Sequence, residues 1–228
     1  KSQSLFKIIL LGLYRLSFYF ATDIWFQNNS NWRYFHKISI IPQHVRVHII
    51  FGSGIDISFF SSMRHKETTN IRNKFLISEN ELLVICVSRL LKSKGVHLLL
   101  ESIPLLDKNI RVILIGEEEN GNGPEFLRYD DVRKAFNGTK HIYLNYSNDL
   151  RSFIYHSDIA FLPSYGEGIS KFLMESISME KFILTSNAPG CIDLFEFENS
   201  PGLQVELNSK CISKTLNNLH QQNRKYFI

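Results

Sequence analysis

Two carboxylates, Glu167 and Glu175, stand eight residues apart in the stretch SYGEGISKFLMESISMEKF (164–182). Glu167 lies in a glycine-containing turn just after the apolar run DIAFLP (158–163), and Glu175 falls within a segment of helical spacing. Upstream, VSRLLKSKG (87–95) places two cations, Arg89 and Lys94, directly after another apolar run. A carboxylate can accept two hydrogen bonds from a ribose diol. Fixed cations and the free N–H groups of a helix N-terminus can together hold a phosphate. A phosphate set between Arg89, Lys94 and the amides of Gly168, Ile169 and Ser170, with a glutamate on the next helix holding the ribose, is the chemistry of a nucleotide-sugar site. Spacing alone leaves plainer roles open. Arg89 and Lys94 could cap and solvate a helix start, and Glu167 could be a first-turn carboxylate favoured by the helix dipole.

Other chemistries find little support. His97 sits in an apolar helical run, and His141 and His156 fall at element ends, where capping accounts for them. No Ser–His–Asp or Cys–His arrangement is legible. Cys86, Cys191 and Cys211 are odd in number and far apart, with neither metal-ligand spacing nor a disulfide framework, which fits a reducing, cytoplasmic compartment. The glycines near 121 and 123 form neither a G-x-G-x-x-G nor a Walker pattern. A net charge of +4 without a long Lys/Arg block points to a solvated surface rather than to nucleic acid. Neither a metal nor a cofactor is expected.

The elements that must position these side chains alternate along the chain. Strands are expected over 45–51, 82–88, 110–116, 141–145, 158–163, 181–186 and 202–206. Helices are expected over 94–106, 123–136, 148–156 and 170–179, with a last one from about Asn208. Short apolar runs separated by helices predict an α/β fold, a parallel sheet with helices on both faces. In such a sheet ligands bind beyond the carboxyl ends of the strands, where Arg89, Lys94 and Glu167 lie. Strand order is not readable.

The first 50 residues break this rhythm. SLFKIILLGLYRLSFYF is interrupted by Lys7 and Arg15, too charged for a membrane span and without a signal-peptide cleavage pattern. It is expected to be an amphipathic or buried helix. Core packing is its expected role, and peripheral contact with the inner face of a membrane is the alternative. Leu5, Ile8, Ile9, Leu13 and Phe18 are expected to form an apolar face lacking a partner.

Taken in order from about residue 45 to 206, these segments resemble the C-terminal, donor-binding half of a family 4 retaining glycosyltransferase of the GT-B fold. GSGIDISFF (52–60) resembles the family's linker, VSRLLKSKG its phosphate motif, and PSYGEGISKFLMES its Pro-Ser…Glu-Gly…Glu motif. IGEEENGNGPE and NAPGCID resemble the subgroup that extends polyprenyl-diphosphate-linked glycans, the precursors of O-antigen or capsule. Ser88 and Gly166 depart from the family's usual Gly and Arg. The resemblance implies a Rossmann-like sheet and two regions: residues 1–52 as the remnant of an acceptor-binding domain with its linker, and 53–228 as the nucleotide-sugar donor-binding domain. It implies transfer, with retention, of a hexosyl or N-acetylhexosaminyl group from a UDP-sugar to a lipid-linked oligosaccharide, by a chain inactive as a fragment on its own. Arg89, Lys94 and Glu167 then serve catalysis, without a metal. Glu175 binds the ribose, and Gly168, Ile169, Ser170 and Lys171 face the donor sugar and diphosphate. The alternative is a non-catalytic nucleotide-sugar-binding module or interaction subunit.

Overall fold

The computed structural model describes residues 2–63, 68–121, 123–197 and 200–222. Two parallel sheets organise the chain. The smaller one pairs β1 (Asp23–Phe26) with β2 (Arg46–Ile49). Its partners are α1 (Ser2–Phe20) and α2 (Asn29–Lys37). Ile24, Phe26 and Val45 form a small core here, closed by Phe18, Trp32 and Phe35. Helix α1 rests on this core through Tyr14 and Phe18, whose rings lie 5.1 and 5.6 Å from that of Phe35. Phe18 therefore has the partner the sequence reading denied it. Leu5, Ile8, Ile9 and Leu13 do remain exposed, as do Phe6 and Leu16. No described helix is long and apolar enough to cross a membrane.

The larger sheet has six strands: β3 (Leu82–Val87), β4 (Ile110–Ile115), β5 (Ile142–Leu144), β6 (Ile159–Leu162), β7 (Phe182–Ser186) and β8 (Gly202–Val205). All neighbours are parallel, in the order β5-β4-β3-β6-β7-β8. The α/β class expected from the alternating pattern is thus the observed one.

Period-two alternation divides each apolar run between two cores. Leu82, Val84 and Cys86 of β3 face one layer, with Leu98 and Leu99 of α4 (Val96–Ser102), Val132 of α5 (Tyr129–Phe136) and Leu216 of α8 (Ser209–Gln221). Leu83 and Ile85 face the other layer, with Ile71 of α3 (Ile71–Lys74), Ile154 of α6 (Leu150–His156) and Leu173 of α7 (Lys171–Ser178). Strands covered on both faces can afford to be continuously apolar, and this explains why β3 and β6 read as unbroken hydrophobic runs.

The helix expected over 123–136 forms only from Tyr129. The preceding backbone makes a turn over 124–125 and then a bridge at Phe126. The Leu127 N–H donates to the Leu90 carbonyl, the Lys92 N–H donates to the Glu125 carbonyl, and Leu91 bridges Phe126 in antiparallel fashion. Those backbone groups are used between loops and so cannot close helical turns. The helix expected over 94–106 likewise shortens to α4, followed by a 3-10 turn over Ile103–Leu105 that contains Pro104.

Candidate functional site at the sheet's switch point

The chain runs from β3 outward through β4 to β5, then returns to the other side of β3 with β6 and continues to β8. The direction of winding reverses between β3 and β6. In open α/β sheets such a switch point is where ligands bind, in the crevice beyond the carboxyl ends of the strands. The connection after β3 carries Arg89 and Lys94, and the connection after β6 carries Glu167.

Lys94 ends a 3-10 turn over Lys92–Lys94, and Gly95, in the left-handed region at φ 71°, starts α4. A Cβ at Gly95 would lie 1.9 Å from the Pro163 carbonyl oxygen, so only glycine lets the two connections approach this closely. They are also stitched directly: the Tyr165 N–H donates to the Ser93 carbonyl at 2.8 Å, and the Ser164 hydroxyl donates to the same oxygen at 3.3 Å. In consequence the Lys94 ammonium reaches both carboxylate oxygens of Glu167 at 2.8 Å, and both side chains are largely shielded from solvent. The Glu167 N–H donates to the Pro189 carbonyl, which ties this loop to the connection after β7.

Arg89 takes a different position. Its Nη1 contacts both oxygens of Glu119 at 2.9 Å, in an exposed pair at the outer rim. Glu119 belongs to the connection after β4, so the carboxyl-end loops of three neighbouring strands, β4, β3 and β6, carry these charges.

The α7 segment sorts the remaining candidates. Helix α7 begins at Lys171, so Glu167 stands outside it and the two glutamates do not share a helical face. Ile169 packs into the second core and offers the crevice only its backbone. Ser170 is the N-cap, its hydroxyl accepting the Leu173 N–H at 3.3 Å. Lys171 is exposed at the first helical position. Glu175 lies one turn further along, 7% exposed, and no described hydrogen bond or ion pair engages its carboxylate. Burial pushes its pKa up, opposed by the positive charge of Lys171. A largely buried carboxylate without a protein donor has hydrogen-bonding capacity left for water or a ligand.

Sequence reasoning put Lys94 and Glu167 just beyond two strand ends but treated them separately; their pairing follows from strand order. It gave Glu119 no role, although its position just after a strand was a usable signal. Asn28 and Asp193, described below, gave no signal. A cavity of about 580 Å³ at the opposite, amino-terminal ends of the strands is lined by Arg72, His156, Asp158 and Lys181, and contains none of the predicted site residues.

With this geometry in place, the comparisons with known proteins are specific. Residues 67–225 match the family model for glycosyl transferases group 1, and the chain belongs to that family. One relative, the N,N'-diacetylbacillosaminyl-diphospho-undecaprenol alpha-1,3-N-acetylgalactosaminyltransferase of Campylobacter jejuni, is 27% identical over 191 residues, 83% of this chain and 49% of that protein. The capsular polysaccharide biosynthesis glycosyltransferase CapM of Staphylococcus aureus is 25% identical over 195 residues, 82% of this chain and 50% of that protein. The chain therefore spans about half the length of these curated relatives. Among solved structures, Anabaena HepE in complex with UDP and glucose superposes with a TM-score of 0.77 at 17% identity, covering 95% of this chain and 58% of that one. Sucrose-phosphate synthase from Thermosynechococcus elongatus gives 0.74 at 13% identity, covering 95% and 53%. These similarities extend the fold over nearly the whole chain.

Proposed function

We propose that this chain forms the donor-binding wall of a glycosyltransferase that moves a sugar, with retention, from a UDP-sugar to a lipid-linked acceptor during surface polysaccharide synthesis. The observation that carries the proposal is Glu175, a largely buried carboxylate with no protein donor among the described residues, on the helix that follows the Lys94–Glu167 pair at the switch point. A ribose diol supplies the two donors that Glu175 lacks. The diphosphate lies toward Arg89, Lys94 and the first turn of α7, whose amides point outward as at any helix start. When the bond between the anomeric carbon and the diphosphate oxygen breaks, negative charge grows on the leaving group, and fixed cations oppose it. Glu167, held by Lys94, faces the sugar together with the backbone of Gly168–Ser170. The names of the relatives support the acceptor class: one carries diphospho-undecaprenol in its name, and another is a capsular enzyme. The HepE complexes with UDP and UDP-glucose support the donor class.

Residues 53–228 are assigned to the donor domain and 1–52 to the acceptor side and linker. Titration calorimetry with UDP, with and without chelator, tests the reading. Weak metal-independent binding is expected, lowered by both Arg89→Ala and Glu175→Ala. Unchanged affinity in both variants would place the site elsewhere, and loss of binding on chelation would overturn the metal-free mechanism.

A further inference from the structure

The loop that carries Glu167 is gripped from the other sheet. Asn28 stands two residues beyond the end of β1 and is fully buried. Its Oδ1 accepts the Asn31 N–H at 2.7 Å and so caps α2. Its Nδ2 donates to the Glu167 carbonyl at 3.2 Å and to the Gly168 carbonyl at 2.6 Å. Each amide atom thus meets a complementary partner, which fixes the orientation of the side chain. Asp193, also fully buried, completes the grip from the connection after β7. One of its oxygens accepts the Ser30 N–H and the other accepts the Gly190 N–H, both at 2.8 Å. Packing is tight around the loop, most firmly at Gly190, where the neighbour is backbone. A Cβ at Gly168 would meet the Gln27 side chain at 1.9 Å, and one at Gly190 would meet the Glu167 carbonyl oxygen at 2.2 Å.

We propose that Asn28 is a positioning residue for the candidate site: its amide group sets the path of the Glu167–Ser170 loop and thereby the direction in which Glu167 faces the donor sugar. The proposed role in the site rests on the nucleotide-sugar reading; the hold on the loop does not. Two backbone carbonyls at a buried junction depend on this single NH₂ group. Without it they must find water or move, because an unpaired buried acceptor is costly. A cap alone would be served equally well by Ser or Asp, neither of which brings an amide donor. Asn is the residue that provides the acceptor for α2 and the two donors for the loop from one side chain.

Hydrogen exchange followed by mass spectrometry, on this full chain and on Asn28→Ser and Asn28→Asp, separates the cap from the grip. In both variants peptides covering 164–172 should exchange about tenfold faster, as expected when a local hydrogen-bonded unit is loosened. Peptides covering α2, β3 and β4 should be unchanged. Wild-type exchange at 164–172 in both variants would overturn the inference. So would acceleration spread evenly over the chain, or loss of the melting transition, since either would make Asn28 a general structural support. Calorimetry with UDP and UDP-glucose adds a measurement that a merely structural role would not move. UDP affinity should stay within about twofold, while the affinity difference between the two ligands shrinks; equal losses for both would count against positioning. If the wild type binds neither ligand but the loop exchange rises, the site reading fails and the grip stands. If UDP binds and the loop is unaffected, the reverse holds.

Discussion

The six-stranded sheet carries a shielded ion pair at each end, and the two are built differently. At the amino-terminal ends, Arg72 contacts Asp158 at 2.7 Å, and three further donations go to the carbonyls of His156, Ser78 and Glu81. Asp158 also accepts the Leu83 N–H at 2.7 Å. This pair fastens α3 to the starts of β3 and β6 and uses nearly all the donor capacity of the guanidinium. At the carboxyl-terminal ends, the recorded bonds of the Lys94 ammonium all go to Glu167, while Glu175 nearby has no described protein partner. The first arrangement is saturated, and the second leaves polar capacity open at Glu175. A shielded ion pair alone therefore does not single out a candidate site; open hydrogen-bonding capacity is the feature that separates the two ends.

The sharpest way to break this contrast is Arg72→Ala. It leaves Asp158 and three carbonyls without their cation, and removing one partner of a buried pair typically costs about 3–5 kcal/mol. Urea denaturation should show a loss of this size, with UDP affinity unchanged under conditions where the variant stays folded. A nucleotide effect larger than the stability effect would mean that the amino end is not mere scaffold.

Lys94→Ala should act in the opposite sense. Loss of a charge-assisted contact to a diphosphate is worth about 1.5–3 kcal/mol, roughly ten- to hundredfold in UDP affinity. Calorimetry that shows a full stability loss and no affinity loss would assign Lys94 to the scaffold instead.

The third test uses pH, because carboxylates at the two ends shift in opposite directions. Burial opposes ionisation of Glu81, at the amino end, but hydrogen bonds from Lys140 and Arg111 outweigh it and hold its pKa at about 2. Its folded pKa lies below the ordinary 4.5, so its contribution to stability is present above 4.5 and is lost as pH falls toward about 2. Glu175 is raised above 4.5, chiefly by burial. The folded state therefore binds its proton more tightly than the unfolded state does. Its stabilising effect is full below 4.5 and disappears as pH rises through the raised value. Glu175→Gln should consequently melt higher than wild type near neutrality and lose that advantage at acid pH, while UDP affinity falls by about 1 kcal/mol, roughly fivefold. Glu81→Gln should do the reverse in stability, melting lower near neutrality with the difference narrowing in acid. Parallel melting curves for Glu175→Gln and wild type at all pH values would remove the contrast.

The smallest effect is expected at the rim. Glu119 occupies Arg89 in an exposed pair, so Glu119→Gln should free the guanidinium and raise UDP affinity by about two- to threefold. The gain should fade as salt is added, since screening acts on exposed charges first. A loss of affinity would show that Glu119 serves the ligand rather than competing with it.

Much of the sheet was legible because each strand is a short run of apolar residues, and burial on both faces leaves no other use for such runs. The helix over 123–136 was misjudged in its first half because the local pattern cannot report that Leu127 and Lys92 donate their N–H groups across loops. Glu175 within a helix was readable, since 3.6-residue spacing is a local property, while Ser170, placed inside the helix expected over 170–179, proves to be its N-cap.

The sequence by itself determined the α/β class and the position of Arg89, Lys94 and Glu167 just beyond strand ends. Each of these depends on residues within a turn or two of one another. Only the tertiary structure decided that β6 returns to lie beside β3, so that Lys94 meets Glu167 across 73 residues. Only it decided that Glu119 takes Arg89, and that Asn28 reaches the Glu167 carbonyl across 139 residues. The physical reason is the same in each case. Charge pairing and carbonyl satisfaction depend on distance in space, strand order sets that distance, and the periodicity of a single strand carries no record of its neighbours.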